Sequence, residues 1–343
     1  MKYINFHLQK QPAQEKIAEI TLNKFYITFI FTIAVLFCFN LFSFQLLHFF
    51  SPNKGYKLIQ AKWDILNNLN TPVDILILGD SSSNQGVDSD LIMKKTGLSA
   101  LNLATIAGTL TLNDYWLLNE YIPKFGVPKC VIAVYTYDIW HRPAIPTIMA
   151  KVPINPQKML NYFSLFELGI RDKISYLTAK YIPSWSENIS LQKIFTQPWK
   201  INREIFSLTK SGFLSVSEGN QENVLKDTEK HIKFTRKNIF KPSDENIYAL
   251  KQIGELSKNK DFPVYIVNSP IFEGLYREKS LRYYYNNVNV FIGKILDKYN
   301  NMHHIFKTPQ TFNSLMMQNS DHLTSEGAKV FTSHLLENIN CPQ

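Results

Sequence analysis

Short apolar runs alternate along most of the chain with longer segments in which apolar residues recur at helical spacing. Apolar runs bounded by turn residues are typical of buried strands, and amphipathic segments are typical of helices that cover a sheet. This alternation favours an α/β fold built on a parallel, doubly wound sheet. The predicted strands are residues 73–78, 100–104, 131–137, 263–267 and 303–306, and the predicted helices are residues 89–95, 112–125, 245–258, 281–299 and 325–336.

The alternation breaks between Arg142 and about Lys241. This stretch is rich in proline and contains an aromatic helical pattern at residues 163–181 and a polar basic run at residues 226–237. We interpret residues 143–241 as a largely helical insertion rather than as an independent domain. An insertion after the carboxyl end of a strand often shapes access to a site, and an insertion that only covers the sheet fits the pattern equally well.

Residues 25–53 contain no Lys, Arg, Asp or Glu and are rich in Phe, Leu and Ile. About 20 apolar residues are enough to cross a bilayer, and a soluble core helix rarely runs so long without a charge. A cleaved signal peptide is disfavoured because a long segment precedes the run and no small-residue cleavage site follows it. We therefore predict a single-pass membrane protein with a signal anchor at residues 25–50. A slight excess of positive charge before the span places residues 1–24 in the cytoplasm and residues 55–343 outside it.

The chain carries a formal net charge of +9 at pH 7. A basic surface suits an anionic polymer or lipid headgroups, and a solvated surface with no specific partner explains the same charge. The sequence shows no nucleic-acid motif, no phosphate-binding glycine loop and no His/Cys cluster at metal-ligand spacing. We expect no cofactor, no metal and no nucleic-acid partner.

The three cysteines are too few for a disulfide framework. Cys38 lies in the apolar span, Cys130 enters a predicted strand, and Cys341 is close to the end of the sequence. A Cys130–Cys341 bridge stays open as an alternative, but we expect a buried free thiol at Cys130.

The first candidate for chemistry follows the first predicted strand, where the sequence reads Gly79-Asp80-Ser81. Open α/β sheets place their reactive groups at the carboxyl ends of parallel strands. A serine at such a turn is suited to attack an acyl carbon, provided that a base removes its proton and donors hold the developing oxyanion. A candidate base, His322, stands in a loop just ahead of the last predicted helix.

Together these two segments resemble the SGNH/GDSL hydrolase superfamily, in which a Gly-Asp-Ser opens the domain and an Asp-x-x-His closes it. The resemblance covers roughly residues 70–140 and 245–338. It implies a flavodoxin-like three-layer fold, with Ser81 as the nucleophile and His322 as the base. It also implies that the backbone N–H of Ser81 and a glycine after the second strand, here Gly108, belong to an oxyanion hole.

The chain departs from the family pattern at two positions. The third oxyanion donor of the family is an asparagine after the third strand, and this chain has Tyr137 there, so we expect a hydroxyl of Tyr137 or of Thr136 to replace it. Three residues before His322 stands Asn319, where the family has aspartate. The third member of a triad orients the imidazole and stabilises its charged form.

Asn319 is able to orient the ring through its amide oxygen but carries no charge. Asp321 carries a charge, but we expect an adjacent side chain in an extended loop to point away from the ring. Polar residues near the predicted strand ends are candidates for substrate binding. For His141 and Arg142, at the base of the insertion, packing and salt bridging are the alternative. These candidates are Asp80, Asp138, Asn268, His141 and Arg142.

Within the superfamily the chain is most similar to membrane-anchored envelope proteins such as those of alginate O-acetylation and lipoteichoic-acid D-alanylation. The resemblance implies a serine acyltransferase or esterase that acts on acyl groups, foremost acetyl, of a cell-surface or secreted polysaccharide through an acyl-Ser81 intermediate. The expected partners are the lipid bilayer, the polysaccharide and, for a transferase, a membrane-bound acyl-donor protein. The alternative is a degenerate, non-catalytic SGNH module that binds polysaccharide or scaffolds an envelope export complex. Asn319 and the missing asparagine favour that alternative.

Overall fold

The computed structural model describes residues 11–50, 54–198 and 208–342. The chain divides into two compact units. The first unit consists of Met1–Pro52 with Tyr181–Ile201, and the second consists of Asn53–Lys180 with Asn202–Gln343. The predicted insertion is therefore shared between the two units.

The second unit is α/β and contains a parallel sheet of five strands in the order β2-β1-β3-β4-β6. Two short strands, β5 and β7, form a second parallel pair. The strands are β1 (Ile75–Gly79), β2 (Ala100–Asn102), β3 (Cys130–Tyr135), β4 (Val264–Asn268), β5 (Ile271–Phe272), β6 (Met302–Ile305) and β7 (Thr311–Phe312). The five strands predicted from the apolar runs are all present in the larger sheet.

The helices follow the predicted alternation outside the insertion and add elements that the pattern did not indicate. The helices are α1 (Gln11–Phe50), α2 (Lys54–Asn67), α3 (Ser81–Gly86), α4 (Ser89–Thr96), α5 (Leu110–Phe125), α6 (Pro146–Met149), α7 (Pro156–Leu165), α8 (Ile170–Tyr181), α9 (Pro183–Ser186), α10 (Asn188–Thr196), α11 (Gln221–Lys237), α12 (Asp244–Lys260), α13 (Glu273–Tyr276), α14 (Lys279–Leu296) and α15 (Ser325–Asn338). The aromatic pattern at residues 163–181 is divided between α7 and α8, with Glu167 between them at a φ of 56°.

Each face of the sheet has its own apolar core, because successive residues of a strand point to opposite faces. Leu76 of β1 belongs to the larger core, to which α5, α12 and α14 contribute. Ile77 belongs to the smaller core, to which α4 and α15 contribute. Both β1 and β3 are buried along their whole length, as is typical of strands that helices cover on both sides.

In the first unit, α1 is one continuous helix of 40 residues. Its segment Thr21–Phe50 is long and apolar enough to cross a membrane, which agrees with the predicted anchor in length and composition. The short helices α9 and α10 pack against it.

Cys130 and Cys341 form a disulfide bond, with their Cα atoms 5.5 Å apart. The expectation of a free thiol at Cys130 is therefore wrong. The C-terminal segment reaches the sheet because the hydroxyl of Tyr265 on β4 donates to the carbonyl of Asn340 at 2.6 Å and accepts its N–H at 3.1 Å. Cys38 is the free cysteine in the described part of the chain.

We expect the denatured, unreduced protein to carry one reactive thiol and the reduced protein to carry three, because Cys38 alone is outside the disulfide. The count is measured by mass spectrometry after maleimide labelling of protein purified without reductant. Cys38→Ser is the control and should leave no reactive thiol before reduction. Three reactive thiols in the unreduced wild type would contradict the bond.

Candidate active site

A buried carboxylate shapes the turn at the end of β1. Asp80 caps α3, and its two oxygens accept the backbone N–H and hydroxyl of Ser82 at 2.9 and 2.7 Å and those of Thr136 at 2.7 Å each. The side chain is fully buried, and burial raises its pKa although these hydrogen bonds act in the opposite direction. All acceptor sites of the carboxylate are taken. Asp80 therefore ties β1 to the end of β3 and, contrary to the expectation, presents nothing to a substrate.

Gly79 allows β1 and β3 to approach each other closely at this turn. Its φ is 120°, and a Cβ at this position would lie 2.0 Å from the carbonyl oxygen of Val134 on β3. A larger residue would therefore clash with the backbone of the neighbouring strand and would also adopt a strained conformation.

Ser81 is the only one of three consecutive serines with an unpaired hydroxyl in the described part of the chain. The Ser82 hydroxyl donates to Asp80, and the Ser83 hydroxyl donates to the carbonyl of Leu78 at 2.7 Å. Both of these serines are fully buried, whereas Ser81 is half-buried at the first position of α3. Ser81 is therefore the hydroxyl of this turn that a substrate can reach.

The imidazole of His322 is held through Nδ1 by two acceptors. Nδ1 lies 2.5 Å from Oδ1 of Asp321 and 2.9 Å from Oδ1 of Asn319. The same Asn319 oxygen accepts the backbone N–H of Asp321 at 3.0 Å and that of His322 at 2.8 Å. The expectation that Asp321 points away from the ring is wrong. The hydrogen bonds of the Asn319 side chain form a tight turn, and this turn places the Asp321 carboxylate beside Nδ1.

The two groups of this pair shift each other's pKa in opposite directions. Burial acts to lower the pKa of His322, but the carboxylates around it, Asp321 foremost, together outweigh burial and the pKa is raised. Burial acts to raise the pKa of Asp321, but His322, together with His231 and Arg142, holds it well below its usual range. Since Nδ1 faces a carboxylate, Nε2 is the nitrogen of His322 that remains available to a substrate or nucleophile.

The elements that carry Ser81 and His322 are in contact. Leu323, which follows His322, comes within 3.8 Å of the position that a Cβ on Gly86 would occupy at the end of α3. The hydroxyl oxygen of Thr332 on α15 also accepts the backbone N–H of Asp88, which lies two residues after the end of α3, at 2.9 Å. Within the described residues no hydrogen bond joins the Ser81 hydroxyl to His322. Catalytic hydrogen bonds are often long in the free enzyme and tighten when substrate binds.

The predicted oxyanion donors lie in different environments. Gly108 is in a half-buried turn after β2, where a Cβ would lie 2.9 Å from the side chain of Ile148. Leu110, at the end of this turn, has a φ of 59° and a ψ of 178°, a conformation that costs a non-glycine residue about 1–3 kcal/mol. The backbone of this loop is thus held in an unusual shape beside the base of the insertion.

Neither hydroxyl proposed as the third donor is free. The side chain of Tyr137 is fully buried, and its hydroxyl is 2.5 Å from Nδ1 of His231. The Thr136 hydroxyl is 2.7 Å from Asp80 and 2.9 Å from Asp138, so its single proton lies between two carboxylates. The expected place of Tyr137 in an oxyanion hole is therefore not supported by its position.

The other candidates for substrate binding are mostly engaged with the protein. Asn268 is buried, and its amide donates to the carbonyl of Phe306 and to the side chain of Asn289, both at 2.9 Å. His141 packs on the ring of Phe234, and burial lowers its pKa. Arg142 forms an ion pair with Asp138 and keeps its side chain 39% exposed. Arg142 is thus the charged group of this set that an anionic substrate can approach.

Helix α11 supplies two site residues that the sequence did not indicate. Nε2 of His231 lies 3.5 Å from Asp227 and 3.8 Å from Asp321. Asp227 also accepts the hydroxyl of Ser320 at 2.6 Å. Asp227 and His231 are four residues apart and share one face of the helix. This acid–histidine spacing was the sequence signal that could have identified the two residues. It lies inside a polar basic run that resembles an ordinary solvated helix.

Asp227, His231 and Asp321 have ligand atoms within 4.8 Å of one another, a spacing at which three side chains can hold a metal ion. Burial acts to lower the pKa of His231, but the two carboxylates outweigh it and raise the pKa to about 9. The ring is therefore an imidazolium at neutral pH and supplies the positive charge between the carboxylates. Lys230, 4.0 Å from Asp227, further disfavours a cation.

A polar cavity of about 310 Å³ borders the loop that carries His322. One face of α11 forms one wall, and the loop forms the other. Its lining residues are Asn223, Lys226, Asp227, Lys230, Gln318 and Asn319. Amides and lysines of this kind offer hydrogen bonds to hydroxyl, carbonyl or acidic groups of a ligand.

We expect Asp321→Ala to lower the turnover of a small activated ester by about 10²–10⁴-fold, because the imidazole loses both its orientation and its counter-charge. Asn319→Asp should change the rate by less than about tenfold, since Asp321 already faces Nδ1. The base must be neutral to act, so activity should rise with pH through the pKa of His322. That midpoint should move to lower pH in Asp321→Ala. The opposite ranking of the two variants would assign the orienting role to position 319.

The charge on His231 predicts a pH-dependent stability. A folded-state pKa of about 9, raised from 6.5, contributes stability that is fully present below about pH 6.5 and is lost as the pH rises through about 9. Replacing His231 with Gln should therefore cost most at low pH, by at most about 3 kcal/mol, and little at pH 10. Urea unfolding of the detergent-solubilised protein measures this difference. His334→Gln, at an exposed position of α15, is the control, and a pH-independent cost in His231→Gln would show that the ring is neutral when folded.

No family model matches the chain, and no curated protein matches it. Among solved structures, a match is found to one described as "The structure of a putative platelet activating factor from Streptococcus pneumonia", with a TM-score of 0.41 and 10% sequence identity. The match covers 87% of this chain and 99% of that chain. Similarity at this level supports no conclusion about function.

Proposed function

We propose that the protein is a membrane-anchored serine acyltransferase or esterase of the SGNH type. The observation that carries the proposal is the unpaired, half-buried hydroxyl of Ser81, on an element in contact with the loop where Asp321 holds Nδ1 of His322. The strand order also supports a flavodoxin-like arrangement, in which ligands bind at the carboxyl ends of the strands where the order reverses. That reversal lies between β1 and β3, and β1 leads directly into Ser81.

The proposed reaction has two balanced steps. In the first step, the Ser81 oxygen attacks the acyl carbon of an ester while Nε2 of His322 takes the serine proton, and the leaving alcohol departs with that proton. In the second step, water or a sugar hydroxyl attacks the acyl-serine, and His322 takes its proton and returns it to Ser81. Asp321 stabilises the imidazolium in both steps. We assign the oxyanion to the backbone N–H groups of Ser81 and Gly108.

The proposed substrate is an acyl group, foremost acetyl, on a cell-surface or secreted polysaccharide. The polar cavity beside Asn319 supports a carbohydrate ligand, because its lysine and amide side chains suit sugar hydroxyls and acidic groups. The Cys130–Cys341 bond supports a place outside the cytoplasm, since disulfides persist in oxidising compartments. A transferase would also need an acyl donor, which we propose is a membrane-bound partner protein.

A second candidate function is a non-catalytic SGNH module that binds polysaccharide or scaffolds an export complex. Two observations favour it: the Ser81 hydroxyl is not hydrogen-bonded to His322 within the described residues, and the Tyr137 hydroxyl is engaged with His231. Such a module would keep the cavity beside Asn319 and would not need a reactive serine.

We expect a serine-directed fluorophosphonate to label the wild type at Ser81 and to leave Ser81→Ala unlabelled, with loss of ester turnover. Removing a half-exposed, unpaired hydroxyl should change the unfolding free energy by no more than about 0.5 kcal/mol. Ser83→Ala is the matched control, because Ser83 is buried and bonded to a backbone carbonyl, and it should retain labelling. Peptide mapping identifies the modified residue. An unlabelled wild type would favour the non-catalytic module.

A further inference from the structure

A polar residue inside the apolar span of α1 is satisfied by the insertion. The amide of Asn40 donates to the carbonyl of Tyr181 at 2.7 Å, and its oxygen accepts the hydroxyl of Ser184 at 3.0 Å. A polar side chain within a bilayer is costly unless it finds a partner. These bonds hold the start of α9 at the level of Asn40 along α1.

Apolar contacts continue from this point toward the end of α1. Leu47 packs with Leu191 and Ile194 of α10, and Phe50 lies at the edge of the same cluster. Residues 40–50 correspond to about 15 Å of helix at 1.5 Å per residue. The segment from Tyr181 to Thr196 therefore lies along the last part of α1 rather than beyond its end.

The position of these contacts can be compared with the thickness of a bilayer. The charge-free run begins after Lys24, and an apolar core about 30 Å thick takes about 20 residues of helix, to roughly residue 44. Asn40 then lies inside the outer edge of the apolar core, and Leu47 lies at the level of the lipid headgroups. Elements that lie in a membrane interface are buried about 5–10 Å in this way.

The side chains that this segment presents outward fit such a position. Trp185 is 75% exposed, Ile189 is 65% exposed and Phe195 is 62% exposed. Tryptophan is enriched at membrane interfaces, where its ring sits among the headgroups. Lys193, also exposed on α10, is able to extend its ammonium group to lipid phosphates while its stem stays in the apolar layer.

We propose that residues 181–196 form a second membrane contact, an interfacial anchor that lies in the outer leaflet against α1. The partner of this surface is the lipid bilayer itself. The inference rests on the proposed span of α1, because the bonds to Asn40 and the packing on Leu47 set the depth of the segment. The proposal also gives this part of the insertion a role. From the sequence, shaping substrate access and covering the sheet were the two alternatives for the insertion.

The test uses the full chain in phospholipid nanodiscs, with Cys38→Ser to remove the free thiol and a spin label at one introduced cysteine. Trp185→Cys and Phe195→Cys report on the proposed anchor, Val35→Cys reports on the span, and Glu222→Cys, at an exposed position of α11, reports on water. The ratio of oxygen to nickel-chelate accessibility is measured by power saturation. At positions 185 and 195 we expect a ratio several-fold above that at position 222 and below that at position 35.

Ratios at 185 and 195 equal to that at 222, with a high ratio at 35, would overturn the anchor and leave the span intact. A low ratio at position 35 would overturn the span, and with it the proposed membrane attachment. Quenching of native tryptophan fluorescence by brominated lipids provides a measurement without labels. In a Trp199→Phe background we expect it to be much weaker when Trp185 is also replaced by Phe, because the other described tryptophans are buried, and equal quenching with and without Trp185 would also overturn the anchor.

Discussion

The four hydrogen bonds that Asp80 accepts are the interaction on which the site depends. They join the first turn of α3 to the chain that leaves β3, and they consume the hydroxyls of Ser82 and Thr136. Removing the carboxylate would leave buried donors without partners, which costs about 1–3 kcal/mol for each group. This arrangement fixes the backbone at Ser81, because the residues on both sides of it are held by hydrogen bonds.

The second half of the site is organised by a row in which histidines alternate with carboxylates. Asp321 lies between His322 on one side and His231 on the other, and Asp227 lies beyond His231. Asp227 also accepts the hydroxyl of Ser320. Helix α11 therefore contacts the His322 loop twice, through this hydrogen bond and through the ion pair of His231 with Asp321. A charge in this row is stabilised by the charges beside it, and a change at one position therefore alters the protonation of the next. Helix α11 thus links a basic, solvent-facing surface to the residues around His322.

The sequence predicted the parallel strands well because burial on both faces leaves continuous apolar runs at β1 and β3. It missed α3, because the six residues of this helix are polar and show no apolar periodicity. The orientation of Asp321 was also missed, because it depends on a turn formed by the Asn319 amide rather than on residue spacing. The contact of His231 with Asp321 and the choice of a bond over a free thiol at Cys130 depend on partners about 90 and 211 residues away along the chain. Residue spacing offered the Asp227–His231 pair and the Cys130–Cys341 alternative but did not decide either.

The disulfide bond joins two cysteines that are 211 positions apart in the sequence, and this separation affects how the protein matures. The enclosed stretch carries His322 and α11, whereas Ser81 lies outside it. Cys130 therefore has no partner until the chain through Cys341 has been synthesised and, for a chain exported as proposed, translocated. Until then the central strand holds an unpaired thiol, open to mispairing with other exported proteins. A chain that stops before Cys341 cannot form the bond and would keep a free thiol in the middle strand of the sheet.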